Sequence, residues 1–175
     1  MKRPRLAVLF LSPLWLPVLA VLALVAVGAS GLKYNSTDSM PRGWYRIVDS
    51  GAHARKGDLV IVAPPHTVTF GYAFQHGYFT ERDRLLKRLV AVEGDRLDID
   101  AQGVRVNGVP LPNSRPKARD EAGRPLPQVY LPDYPLQGGE VLLMSDYSPA
   151  SFDGRYFGPI PRACIQSVVR PVWTW

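Results

Sequence analysis

One cysteine in 175 residues, Cys164, leaves no disulfide framework and no cysteine-based metal site. Lying between Ala163 and Ile165, it reads as a core residue without chemistry. Histidine is scarce as well: His53, His66 and His76 stand in no recognisable motif and give no zinc spacing. No metal or cofactor is implied. There is no low-complexity tract and no repeat of fixed period. The net charge of +6 suggests nucleic acid only until it is located, because Lys2, Arg3 and Arg5 supply half of it. The rest is scattered without an aromatic-interleaved basic stripe, which argues against a nucleic-acid partner.

The longest absence is of charge, from Leu6 to Ala29. As a helix this stretch would span roughly 36 Å, enough for the hydrocarbon layer with some tilt, and Pro13 and Pro17 would kink it. The basic cluster before it predicts an N-terminus in the cytoplasm and a domain on the outer side of the membrane. Val27 and Ala29 also suit a cleavable signal peptide, but the stretch is long for one, and a retained anchor is the reading adopted. The expected organisation is an anchor over 1–30 and a periplasmic domain over 31–175.

Seventeen prolines and fifteen glycines predict a loop-rich, mostly β domain. Strands are expected near 45–48, 58–62, 85–92, 97–99, 104–109, 141–145 and 165–172, with a hairpin turn at Asn107-Gly108. Together they predict an antiparallel, twisted β structure following one N-terminal transmembrane helix. Residues 112–135, rich in proline, read as an extended surface loop that could touch a partner. The aromatic segment from Thr69 to Phe79 reads either as core packing or as a flap at the membrane interface.

Three polar boxes stand out. In the first, Asn35-Ser36-Thr37-Asp38-Ser39-Met40-Pro41-Arg42-Gly43-Trp44-Tyr45, Pro41 and Gly43 make a turn that could expose the Ser39 hydroxyl, or that its Ser, Thr, Asn and Asp residues could merely cap. In the second, a strand through Lys87 places Leu85, Lys87, Leu89 and Ala91 on one face. A lysine acts as a base only when neutral, and apolar burial disfavours its charged form. Lowering its pKa from near 10.4 by about two pH units requires roughly 3 kcal/mol. Arg88 next to it cannot shed its charge. An exposed edge strand with the Lys87 ammonium in water fits the pattern equally well. The third box, Ser151-Phe152-Asp153-Gly154-Arg155-Tyr156-Phe157-Gly158, would by itself be an ordinary surface loop.

Taken in order, the boxes resemble those of the bacterial signal peptidase I superfamily. Ser39-Met40 followed at once by Pro41 and Gly43 is most similar to its conjugative-transfer, TraF-type branch. The resemblance implies a serine peptidase with Ser39 as nucleophile and Lys87 as general base. It gives Thr37 to the oxyanion hole and has Ser151 orient Lys87. Asp153 and Arg155 become an ion pair bracing the site, and a more direct catalytic role for Asp153 stays open. Residues 57–62 resemble the strand lining the substrate groove, and residues 94–97 the turn after the lysine strand. The resemblance runs through nearly the whole chain. It further implies a pilin-like peptide substrate that is trimmed and closed into a ring, an inner-membrane location, and other conjugative-transfer proteins as partners. The alternatives are a general signal peptidase for exported preproteins and an idle, anchored assembly factor. A Ser-His-Asp triad using one of the three histidines is the rival chemistry.

Overall fold

A computed structural model describes residues 15–175, except for the side chains of residues 23, 24, 26, 27 and 29. The chain divides into two compact units, Met1–Leu32 and Lys33–Trp175. In the first, helix α1 (Trp15–Ala29) carries no charged residue. The basic cluster, Pro13 and the first part of the expected anchor lie outside the described residues. No helix among the described residues is long and apolar enough to cross a membrane.

The strands are β1 (Leu32–Asn35), which begins at the last residue of the first unit, and, in the second unit, β2 (Gly43–Ser50), β3 (Leu59–Val62), β4 (Leu85–Ala91), β5 (Arg96–Asp100), β6 (Gly103–Val106), β7 (Val109–Pro110), β8 (Leu131–Pro135), β9 (Glu140–Met144), β10 (Ile160–Pro161) and β11 (Ile165–Thr174). Among the described residues they form a seven-stranded sheet, β1-β2-β11-β3-β4-β9-β10, and a four-stranded sheet, β7-β6-β5-β8. The pairings of β2 through β11 are antiparallel. The mostly β, antiparallel expectation therefore holds.

Apolar alternation sorts the strands into three clusters. Val60, Val62, Leu89, Leu143 and Val168 share one, with Phe70 of helix α2 (Val68–Gln75) closing it. Ala91, Leu97, Ile99, Val104 and Met144 join the two sheets in a second. Met40, Tyr45, Leu86 and Val169 make the third, under the Ser39 turn.

For the aromatic segment the core-packing reading holds: Phe70 is fully buried, and Phe74 and Phe79 pack around it within 6.5 Å. One expectation needs correction. The loop of 112–135 ends in strand β8, paired to β5. Pro132 and Pro135 are tolerated because β8 is an edge strand. The Asn107-Gly108 turn forms as expected, both residues having positive φ (52° and 78°) and joining β6 to β7.

Candidate active site

The Ser39 turn links β1 to β2 and is held from several sides. Met40 is 2% exposed and anchors the turn in the third cluster. The Tyr45 hydroxyl donates to the Pro41 carbonyl at 2.7 Å. Gly43 follows at φ 138°, where a Cβ would stand 2.2 Å from the Trp173 carbonyl oxygen, so only glycine lets β11 pass this close. At the head of the turn the Ser39 and Thr37 hydroxyls are 3.0 Å apart. The Ser39 carbonyl accepts from the Ser145 hydroxyl at 2.5 Å. On the exposed rim Arg42 Nε and Nη2 grip both Asp38 oxygens at 2.6 and 2.8 Å.

Lys87 lies in the interior of the large sheet. Its strand pairs with β3 through Val60–Lys87 and with β9 through Arg88–Met144. It is not on an edge, and only 3% of it is exposed. The strand is covered on both faces, since Leu86 reaches the cluster beneath Ser39 while Leu89 enters the first cluster. Burial lowers the Lys87 pKa to about 8; Arg155 pushes the same way and Asp153 opposes. Its Nζ donates to Ser151 Oγ at 2.8 Å. Arg88, by contrast, turns to the Asp146 carboxylate at 2.7 Å and the Gly57 carbonyl at 2.8 Å.

The rest of the third box follows Ser151. Asp153 and Arg155 are both completely buried. Arg155 Nε and Nη2 meet Asp153 Oδ1 and Oδ2 at 2.8 and 2.9 Å, a fork-to-fork pair. Asp153 also accepts from the Ser145 N–H at 2.9 Å and caps helix α3 (Gly154–Phe157) through the Arg155 N–H at 3.2 Å. Arg155 Nη1 donates to the Asn113 carbonyl at 2.5 Å and the Pro149 carbonyl at 3.1 Å. Gly154 allows α3 to approach β9, for a Cβ there would lie 2.9 Å from the Leu143 carbonyl oxygen.

Thr37, Ser39, Lys87 and Ser151 line one cleft of about 1230 Å³. Asp153 and Arg155 do not reach it; they stand in the layer behind. The cleft wall includes Ile61 of β3 and, from the mostly exposed 117–126 loop, Lys117, Asp120, Arg124 and Leu126. None of the three histidines lines it. His53 Nδ1 pairs with Asp49 at 2.7 Å on the surface, and His76 Nδ1 contacts the Tyr72 carbonyl at 2.7 Å. A Ser39-based histidine triad is therefore absent. In the sequence Asn35 reads only as one of the polar residues capping the Ser39 turn, and Ser145 has no role of its own. An Asx residue two places before Thr37 was a legible turn signal. Ser145, at the end of a strand, carried none.

The Ser39 hydroxyl and the buried Lys87 line one cleft, and the serine bonded to Lys87 sits on a braced loop. Residues 5–175 match the family described as "Signal peptidase, peptidase S26", and the chain belongs to this family. Among its relatives are two proteins from Escherichia coli named "Plasmid transfer protein TraF". One is 45% identical over 163 residues, covering 89% of this chain and 90% of its own length, and the other is 44% identical. A "Conjugal transfer protein TraF" from Agrobacterium fabrum is 33% identical over 90% of this chain and 94% of its own. A crystal structure of a signal peptidase I from Enterococcus faecalis aligns with 67% of this chain and 97% of its own, at TM-score 0.37 and 19% identity.

Proposed function

We propose that this serine peptidase of conjugative transfer processes a pilin subunit through a Ser39 acyl-enzyme, with Lys87 as general base, and closes the product into a ring. The observation that carries the reading is the Lys87 ammonium group: buried, hydrogen-bonded to Ser151, with a pKa near 8, in the cleft that holds Ser39. A lysine so placed is neutral in a useful fraction of molecules near neutral pH, as a base must be. The chain works from the inner membrane, held by the uncharged stretch over 6–29, with residues 31–175 in the periplasm.

A substrate strand enters the cleft by β-augmentation. Neutral Lys87 takes the Ser39 proton as Ser39 Oγ attacks the scissile carbonyl carbon. The oxyanion is held by the Ser39 N–H and the Thr37 hydroxyl. Lys87 then returns the proton to the departing nitrogen, the peptide C–N bond breaks, and an ester remains on Ser39. The amine at the pilin's own N-terminus attacks that ester, gives up a proton to Lys87, and releases Ser39 with a new peptide bond. Tethering favours this amine over water, since positioned intramolecular reactions reach effective concentrations of roughly 10⁵ M or more. Ser151 keeps Lys87 aimed, while Asp153 and Arg155 brace the loop that carries Ser151.

Mass spectrometry of a co-expressed pilin subunit tests the reading. The expected product is cyclic for the intact pilin and linear once its N-terminal amine is acetylated. Linear product from both would leave a plain endopeptidase, and intact pilin with processed exported preproteins would favour a general signal peptidase.

A further inference from the structure

The Asn35 carboxamide, on the last residue of β1, touches five points of the Ser39 turn. Its Nδ2 lies 2.9, 3.0 and 3.1 Å from the carbonyl oxygens of Thr37, Met40 and Pro41. Its Oδ1 accepts from the Thr37 N–H at 3.3 Å and the Thr37 hydroxyl at 2.9 Å. These partners fix which end of the amide is which, because three carbonyls require the NH₂ and an N–H requires the oxygen. An NH₂ has two hydrogens for three acceptors, so one is shared. Aspartate would offer no donor here, and serine would be too short to span the turn.

The same contacts order the hydroxyl protons. Thr37 has a single hydroxyl proton and it goes to Asn35 Oδ1, an acceptor only. In the 3.0 Å contact between the two hydroxyls Ser39 must then donate and Thr37 accept. The resting turn carries a directed chain, Ser39 to Thr37 to Asn35. Nothing in the Lys87–Ser151 half of the site supplies this order.

We infer that Asn35 is the positioning residue of the nucleophile turn, holding its backbone and the Thr37 hydroxyl in place and setting the resting direction of the Ser39 hydroxyl. The inference rests on the reading of Ser39 as nucleophile. For the reaction the Ser39 hydroxyl turns from Thr37 to neutral Lys87, which takes its proton; Thr37, relieved of the bond it accepted, turns its own proton from Asn35 to the developing oxyanion. Asn35 keeps the backbone of the turn in place through its Nδ2 contacts while that exchange occurs.

The test compares wild type, Ser39→Ala, Asn35→Ala, Asn35→Gln, Thr37→Val and the Asn35→Ala/Thr37→Val double variant in the full chain. Two readouts are taken: kcat and KM on a short peptide with alanine at the scissile position, and the rate of labelling by a small fluorophosphonate. Asn35→Ala is expected to lower kcat and labelling at least tenfold while KM stays within twofold. The double variant should lose less than the product of the two single losses, since both act on one hydrogen-bonded unit. Asn35→Gln carries the same amide on a longer stem, and is judged by the same criteria should Asn35→Ala lose its native circular dichroism spectrum. Labelling within twofold of wild type, a loss confined to KM, or fully multiplicative losses would overturn the inference while leaving the nucleophile intact. A wild type that is not labelled at Ser39 would instead overturn the nucleophile reading, and this inference with it.

Discussion

The Ser145 hydroxyl donates to the Ser39 carbonyl at 2.5 Å, while the Ser145 N–H donates to Asp153 Oδ2 at 2.9 Å. One fully buried residue at the end of β9 thereby ties the nucleophile turn to the Asp153–Arg155 pair. Its oxygen also accepts from the Ser148 N–H at 2.9 Å. Ser145→Ala would keep the N–H bond to Asp153 but remove the hydroxyl's bonds to the part-buried Ser39 carbonyl and Ser148 N–H, at about 1 kcal/mol each. The expected result is a lower denaturation midpoint and a kcat loss larger than the change in KM. Unchanged kcat in a folded Ser145→Ala would mean that the tie does not hold the turn.

Lys87 leaves a signature in stability as well as in rate. Its pKa falls from 10.5 to about 8 in the folded chain because burial disfavours the ammonium form. Between those two values the unfolded chain binds more protons than the folded one, so stability rises with pH across that window. Below about 8 the lysine is charged in both states and its full burial cost applies, about 3 kcal/mol. Above 10.5 it is neutral in both and that cost is gone. Denaturant unfolding of wild type and Lys87→Met, compared from pH 7 to pH 11, should show the variant's relative stability falling as pH rises. A difference independent of pH would mean Lys87 is not desolvated.

The Asp153–Arg155 pair lies wholly out of water, so removing one charge is far costlier than removing a rim contact. Asp153→Asn should destabilise the domain by about 3–5 kcal/mol and reduce turnover. Ser148→Ala removes only a 3.3 Å bond to the Ala150 N–H on the surface and should do much less in thermal melting and turnover assays. Equal, mild effects of the two changes would reduce the third box to an ordinary loop.

Much of this was legible in the sequence for physical reasons. Lys87 was placed by period-two alternation, and Asn107-Gly108 by the need for positive φ. Edge or interior for that strand was not legible, because it depends on β3 and β9, which come from residues far apart in the chain. Leu86 was expected on a face opposite to Lys87, and it is, but both faces are buried because Met40 and Tyr45 cover the second one. Strand β8 was hidden by its prolines, which an edge position tolerates. Asn35 was legible as a turn residue, but its grip on Thr37, Met40 and Pro41, like the tie made by Ser145, lies in distances to backbone atoms that residue types do not encode.

The central claim, that Ser39 attacks and Lys87 takes its proton, is tested most directly by the pH dependence of fluorophosphonate labelling, read by peptide mapping. The account predicts a single adduct on Ser39, a rate that rises with an apparent pKa near 8, and no labelling in Lys87→Arg, since guanidinium keeps its proton. An adduct elsewhere, appreciable labelling in Lys87→Arg, or a limb near pH 6.5 that vanishes when one histidine is replaced would contradict it.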